Sequence, residues 1–257
     1  MNSIKPALDT ADAVHLWVTD TTDISDQGVE ERYVQALGQA ELDSYKALAN
    51  AEHRREYLIS QAFLRDVLSH YLEQAADSLE FVRNASGKPS LQLTNQEAAP
   101  LHFNLSHSSR SVACAVTYAG HVGVDVETSH PDSGLLAMAE HYFAGDEVDC
   151  LQKLDGERQQ MMFARIWTLK EAYIKARGEG HSKSLDSFSF DCKEPGSIRL
   201  VEDAVARQDW RFWSLQPIAD QTVSVAVESA EARLRLFSTV PFGAVTELPL
   251  TSLGQVA

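Results

Sequence analysis

The stretch Gly123-Val124-Asp125-Val126-Glu127 sets two carboxylates two residues apart, each preceded by an apolar residue. On a strand, alternate side chains leave opposite faces. Val124 and Val126 then point one way, and Asp125 and Glu127 the other. Two like charges at that spacing repel, and burial raises the cost. A hard divalent cation such as Mg²⁺ relieves it through oxygen ligands. Taken alone, the pattern also describes a half-exposed strand whose polar face meets water. A second stretch, Trp167-Thr168-Leu169-Lys170-Glu171-Ala172-Tyr173-Ile174-Lys175, reads as helix. Trp167, Glu171 and Lys175 recur every four residues and share one face. That face offers a third carboxylate with a cation beside it. Alone, it is equally a surface Glu–Lys pair worth a few tenths of a kcal/mol.

Together the two stretches resemble the signature of the 4'-phosphopantetheinyl transferase superfamily, Sfp type. That signature is G-(I/V)-D-(I/V)-E, followed further along by (F/W)-(S/T)-x-K-E-(A/S)-(Y/F/W)-x-K. Phe103-Asn104-Leu105-Ser106-His107-Ser108 is similar to a third block of the family and Gly87-Lys88-Pro89 to a fourth. All four stand in the family's order. The resemblance implies an α+β fold of two similar halves about a pseudo-twofold axis, with the active site at their junction. The halves would be 1–128 and 129–239, with an extension at 240–257.

The implied reaction moves phosphopantetheine from coenzyme A, the donor, to a serine hydroxyl of an apo acyl or peptidyl carrier protein. It releases 3',5'-adenosine bisphosphate. By the same resemblance, Asp125, Glu127 and Glu171 would hold Mg²⁺ against the pyrophosphate, and Lys175 would stand beside a phosphate oxygen. Glu171 is the candidate base for the serine proton. Gly87, Lys88 and Pro89 would belong to the adenine and phosphate pocket, and Ser106 and His107 to the phosphate contacts. The family often has an arginine that contacts the 3'-phosphate. Counting back from Leu64-Arg65 puts it at Glu56, one position past Arg55, so Arg54 and Arg55 both stand for the role.

Two other function classes are open to paired carboxylates. A Mg²⁺-dependent nuclease often adds a lysine two residues after the second carboxylate, where this chain has Ser129. A module that only binds coenzyme A or a carrier would be expected to lose a metal ligand, yet all three acidic positions are intact. The formal net charge of −15 also opposes binding to nucleic acid. It opposes long-range attraction to an acidic carrier as well. Docking is therefore expected to rest on apolar contacts around the second half's helices, where Met138, Phe143, Met161 and Met162 lie.

With 257 residues and 44% hydrophobic content, the chain has ample core for one large domain or two small ones. No apolar run approaches the ~18 residues of a membrane span, and the first ten residues lack the apolar stretch of a signal peptide. Cys114, Cys150 and Cys192 fit neither a zinc spacing nor a disulfide framework, which suggests a reducing compartment. The expectation is a cytoplasmic monomer with no membrane partner.

The elements that must position these residues follow from periodicity. Strands are expected at 13–18, 79–83, 101–105, 112–117, 122–127, 188–191, 198–201, 210–215, 222–228 and 232–239. Helices are expected at 30–49, 51–72, 135–143, 146–154 and 158–177. Asn50 caps the second of these, and Gly178 and Gly180 end the last. His53, Arg54 and Arg55 crowd a helix N-terminus, where cations are disfavoured, so a polyanionic ligand would give them a reason. Residues 85–89 read as a turn, 128–133 as a linker and 240–257 as patternless.

Overall fold

The computed structural model describes residues 8, 10–24, 28–72, 74–84, 87–92, 100–131, 134–178, 183–191, 198–202, 205–206 and 209–250. Strand β1 (Ala13–Asp20) is an apolar run buried on both faces, so it needs a covering layer on each side. Val14, Leu16 and Val18 pack toward a second sheet, and Trp17 packs toward helices. β1 is the centre of a five-stranded sheet. β5 (Ser111–Thr117) pairs antiparallel on one side, with β4 (His102–His107) outside it. β12 (Arg233–Ser238) pairs parallel on the other side, with β13 (Thr246–Leu248) outside it.

The helical layer comprises α1 (Val29–Ala36), α2 (Gln39–Ala47) and α3 (Ala51–Ser69). In α3 the apolar stripe of Leu58, Ala62, Phe63, Val67 and Leu68 joins Trp17 in one core. Asn50 does cap α3, its Oδ1 accepting the His53 N–H at 3.0 Å. The single helix expected over 30–49 is two. Glu41 accepts the Gly38 N–H at 2.7 Å and so starts a new helix there. The same carboxylate binds Arg65 Nε at 2.7 Å, and Arg65 is 2% exposed. A Cβ at position 38 would lie 2.6 Å from that guanidinium, so any larger residue there must displace the Arg65 side chain.

The second sheet is antiparallel, with β6 (Val122–Thr128) at one edge, β11 (Gln221–Val227) in the middle and β10 (Arg211–Ile218) outside. Val124, Val126, Val223 and Val225 face the first sheet. The opposite face carries α6 (Gly156–Arg177), where Ala172 and Tyr173 meet Phe212 and Ala226. α4 (Leu135–Tyr142) and α5 (Gly145–Leu151) pack beside α6. Phe143, expected on a docking surface, is buried in this cluster against Phe163.

Two small sheets complete the fold: β2 (Phe81–Arg83) with β3 (Pro89–Leu91), and β7 (Phe188–Phe190) with β8 (Leu200–Glu202) and β9 (Val205–Ala206). The chain is therefore a mixed α+β protein, with six α-helices among the described residues. Three strands were not expected. β3 begins at the last residue of the stretch read as a turn, β9 falls between two expected strands, and β13 lies in the tail that showed no pattern. The tail is fastened: Asp66 accepts the Phe242 N–H at 2.7 Å, and Arg32 donates to the Phe242 carbonyl at 2.7 Å. Among the described residues no helix is long and apolar enough to cross a membrane. Cys114 and Cys150 are free thiols, while Cys192 and Gly180 lie outside the described residues.

Candidate active site

Gly123 shows why β6 and α6 can form one site. A Cβ there would lie 2.0 Å from the Ala172 carbonyl and 2.5 Å from the Ala176 nitrogen. Only glycine lets the helix backbone rest on the strand this closely. Asp125 and Glu127 share the Gly123 face of β6, directly beneath that helix. A hydroxyl pair fixes the helix along the sheet. Thr168 Oγ1 of α6 lies 2.7 Å from Ser224 Oγ, and Ser224 is the β11 partner of Asp125.

No backbone ladder joins β4 to β6. Two alternate side chains of β4 make the connection instead. Asn104 Oδ1 accepts the Val124 N–H at 2.9 Å, and Ser106 Oγ donates to Asp125 Oδ1 at 2.9 Å. The result is a cleft of about 390 Å³ lined by Leu105, Ser106, His107, Asp125, Glu127, Trp167, Glu171 and Lys175. Trp167, Glu171 and Lys175 thus do share the face that faces the strand carboxylates.

Charge in this cleft is unevenly compensated. Lys175 Nζ donates to Asp125 Oδ1 at 2.6 Å and to Ser106 Oγ at 2.9 Å. Asp125 is 4% exposed, and its second oxygen, Oδ2, is buried with no hydrogen-bond partner. Glu127 bears the repulsion. Burial first and then the Asp125 charge push its carboxyl up to about 7, with Lys175 pulling it down and Glu171 adding a smaller push. His107 stands at the open rim. Partial burial holds its imidazole below the usual histidine range, with Glu56 and Asp125 opposing and Lys175 assisting.

A buried carboxylate oxygen without a donor is costly. A second carboxylate pushed toward protonation beside it completes a donor set that fits a hard divalent cation. Among the described residues, no three acidic, histidine or cysteine side chains are already gathered into a metal cage. Mg²⁺ suits such an open arrangement, because it keeps several water or phosphate oxygens and takes only one or two carboxylates.

Comparison with known proteins decides the family. Residues 29–119 match the family model described as 4'-phosphopantetheinyl transferase, N-terminal, and residues 121–227 match the 4'-phosphopantetheinyl transferase superfamily. The chain is 35% identical over 218 residues to the 4'-phosphopantetheinyl transferase HetI of Nostoc sp., spanning 84% of this chain and 88% of that protein. It is 28% identical over 174 residues to the 4'-phosphopantetheinyl transferase Sfp of Bacillus subtilis, spanning 68% and 75%. The chain belongs to the 4'-phosphopantetheinyl transferase superfamily.

In this transferase the Gly87–Pro89 turn lies outside the carboxylate cleft. It borders a neighbouring cavity of about 310 Å³ with Asn84, His102, His121 and Arg177. Gly87 takes φ +83°, and Asn84 Oδ1 accepts the Lys88 N–H at 2.9 Å, which together shape the turn. The Lys88 ammonium donates to the carbonyls of Val122 at 3.1 Å, Lys175 at 2.6 Å and Ala176 at 3.2 Å. Arg54 and Arg55 border a third cavity of about 370 Å³ with Glu30, Tyr33 and Tyr45. Arg54 donates to the Leu48 carbonyl at 3.4 Å and Arg55 to the Ile24 carbonyl at 3.3 Å. Neither arginine lines the carboxylate cleft. Glu56, where counting places the family's arginine, is the α3 residue whose charge reaches His107.

Two residues of the matched blocks, and a third just past one of them, work in ways their sequence did not show. Ser108 and Ser111, next to the expected phosphate-binding hydroxyls, both donate to Gln221 Oε1, at 2.7 and 2.8 Å, and so tie the two sheets together. Lys170 is fully buried. Its ammonium reaches Glu147 Oε2 at 2.7 Å and the carbonyls of Leu185 and Phe188 at 2.8 and 2.6 Å. The signal available was position: Lys170 is one residue away from the Trp167-Glu171-Lys175 face, toward the core.

Proposed function

We propose that this protein transfers the 4'-phosphopantetheine group of coenzyme A to a serine hydroxyl of an apo acyl or peptidyl carrier protein. The reaction depends on Mg²⁺ and releases 3',5'-adenosine bisphosphate. The observation that carries this reading is the cleft itself: Asp125 with an unpartnered buried oxygen, Glu127 held near neutrality, and Glu171 and Lys175 facing them from one helix. Family membership supports the same chemistry.

The serine oxygen attacks the phosphorus that bears the pantetheine arm, and the bond from that phosphorus to the bridging oxygen breaks. The bridging oxygen leaves on the adenosine bisphosphate. The serine proton passes to the Glu171 carboxylate, our candidate base. Asp125, Glu127 and Glu171 would hold the cation, which supplies charge neutralisation at the pyrophosphate. Lys175 stabilises negative charge on a phosphoryl oxygen, and Asp125 and Ser106 aim its ammonium. His107, at the rim, contacts the 3'-phosphate. The adenine end occupies the 310 Å³ cavity beside Pro89 and Lys88.

Incubating the protein with coenzyme A, Mg²⁺ and a panel of apo carriers, then weighing the carriers, tests the proposal. One phosphopantetheine added to a carrier serine is the expected mass change. No gain on any carrier of the panel would sink it.

A further inference from the structure

The contact between Gly123 and α6 is steric and has no direction along the helix axis. The Thr168–Ser224 hydroxyl pair holds the helix to β11 about two turns earlier, so the last turn of α6 needs its own tie to β6, because an ångström of motion there would part Lys175 from Asp125. We propose that Lys88 is a positioning residue, whose ammonium fastens the last turn of α6 to the first residue of β6. Three donors meet three carbonyls, those of Val122, Lys175 and Ala176. One of these is the carbonyl of Lys175 itself, and Val122 begins the strand that carries Asp125 and Glu127.

The fit is physical in two further respects. The last carbonyls of a helix carry its partial negative charge, so a cation is favoured there. The Lys88 backbone is pinned in turn: its N–H is held by Asn84 Oδ1 and its carbonyl accepts the Asn84 N–H at 3.0 Å. Burial lowers the Lys88 ammonium to about 8, the cost of keeping it away from water. The clamp spans the wall between the two cavities, because Lys88 and Ala176 line one and Lys175 lines the other.

That the clamped residues are catalytic rests on the function proposed above, so the test includes a reading that does not. In Lys88→Met, amide hydrogen exchange at residues 122–126 and 172–177 should quicken about tenfold or more, while β1 and β5 stay as in the wild type. In the transfer assay kcat should fall about a hundredfold, with KM for coenzyme A within about threefold. Lys88→Arg, which keeps the donors, should restore slow exchange and most of kcat. If the methionine variant does not fold, Lys88→Gln is measured the same way, and faster exchange confined to the two segments supports the clamp. Exchange as slow as in the wild type overturns it. So does a KM that rises while kcat holds, since the ammonium would then be a ligand contact. A chain that transfers nothing would defeat the proposed function and leave the exchange result standing.

Discussion

Lys175 changes what removal of each carboxylate should do. From like-charge repulsion alone, losing Asp125 or Glu171 would not be expected to destabilise the metal-free protein. In the structure Asp125 is already paired with Lys175, and Glu127 carries the unrelieved charge. Asp125→Ala is therefore expected to destabilise the metal-free fold by about 2 kcal/mol, for a lost charge-assisted hydrogen bond, and so to lower its thermal midpoint. It should reduce transfer by orders of magnitude, as should Glu171→Gln, and EDTA should abolish wild-type activity reversibly. Full activity in excess chelator would remove the cation from the mechanism. Glu127 behaves in the opposite sense. Its folded-state value of about 7 exceeds the ordinary 4.5. Between those values the folded protein holds a proton that the unfolded chain has released, so metal-free stability declines as pH rises through that window. Glu127→Gln should flatten that decline, and Mg²⁺ should do the same in the wild type. Identical pH profiles of the thermal midpoint for variant and wild type would refute the assignment. At the rim, His107→Ala should weaken coenzyme A more than dephospho-coenzyme A, because the proposed partner is the 3'-phosphate. Calorimetry with both ligands decides, and equal losses would end that role.

The elements that carry these residues were legible because their periods are strong. β6 sends its valines to one core and its acids to α6, as a period of two requires. α6 shows one face to the cleft, as a spacing of four requires. What the sequence hid was packing across elements. Gly123 looks like an ordinary strand glycine until a helix backbone is found against it. Lys170 looks like a surface cation until Glu147 is found beneath it, and that carboxylate comes from a helix 23 residues earlier. The break at Gly38 depends on Arg65, which lies far along the chain. β3 and β13 are three residues each, too short for a period to show. Gly123 gives the sharpest test at this scale. Gly123→Ala must push α6 outward or twist β6, an overpacking cost of about 3 kcal/mol. Transfer should fall at least a hundredfold, roughly 2.7 kcal/mol of barrier, in protein that remains folded by circular dichroism. Near-normal transfer in this variant would show that the helix–strand approach does not set the site.

At the scale of the whole molecule the chain passes between sheets more than once. β6 leaves the first sheet's neighbourhood to pair with β11, and β12 returns to lie parallel to β1. Composition could not show this, since an alternating or apolar strand pattern does not name its pairing partner. Net charge, by contrast, is a whole-molecule property that the sequence states outright. At −15 the protein repels an acidic carrier at long range, so affinity must come from contact. Of the side chains expected to supply it, Met138 is 42% exposed on α4, while Phe143 is buried. Tyr142, not expected, is 41% exposed on the same helix. Its ring lies edge-on to Trp167 at 5.8 Å, and Trp167 lines the cleft. An apolar strip therefore runs from Met138 through Tyr142 to the carboxylates. Met138→Glu and Tyr142→Ser are expected to raise KM for the carrier about tenfold, about 1.4 kcal/mol each. KM for coenzyme A should not move, because neither residue lines the cavities assigned to it. Added salt screens charges but not apolar contacts, so KM for the carrier should hold or improve as ionic strength rises. A steep rise in that KM with salt would mean that opposite charges, and not this strip, bring the carrier in.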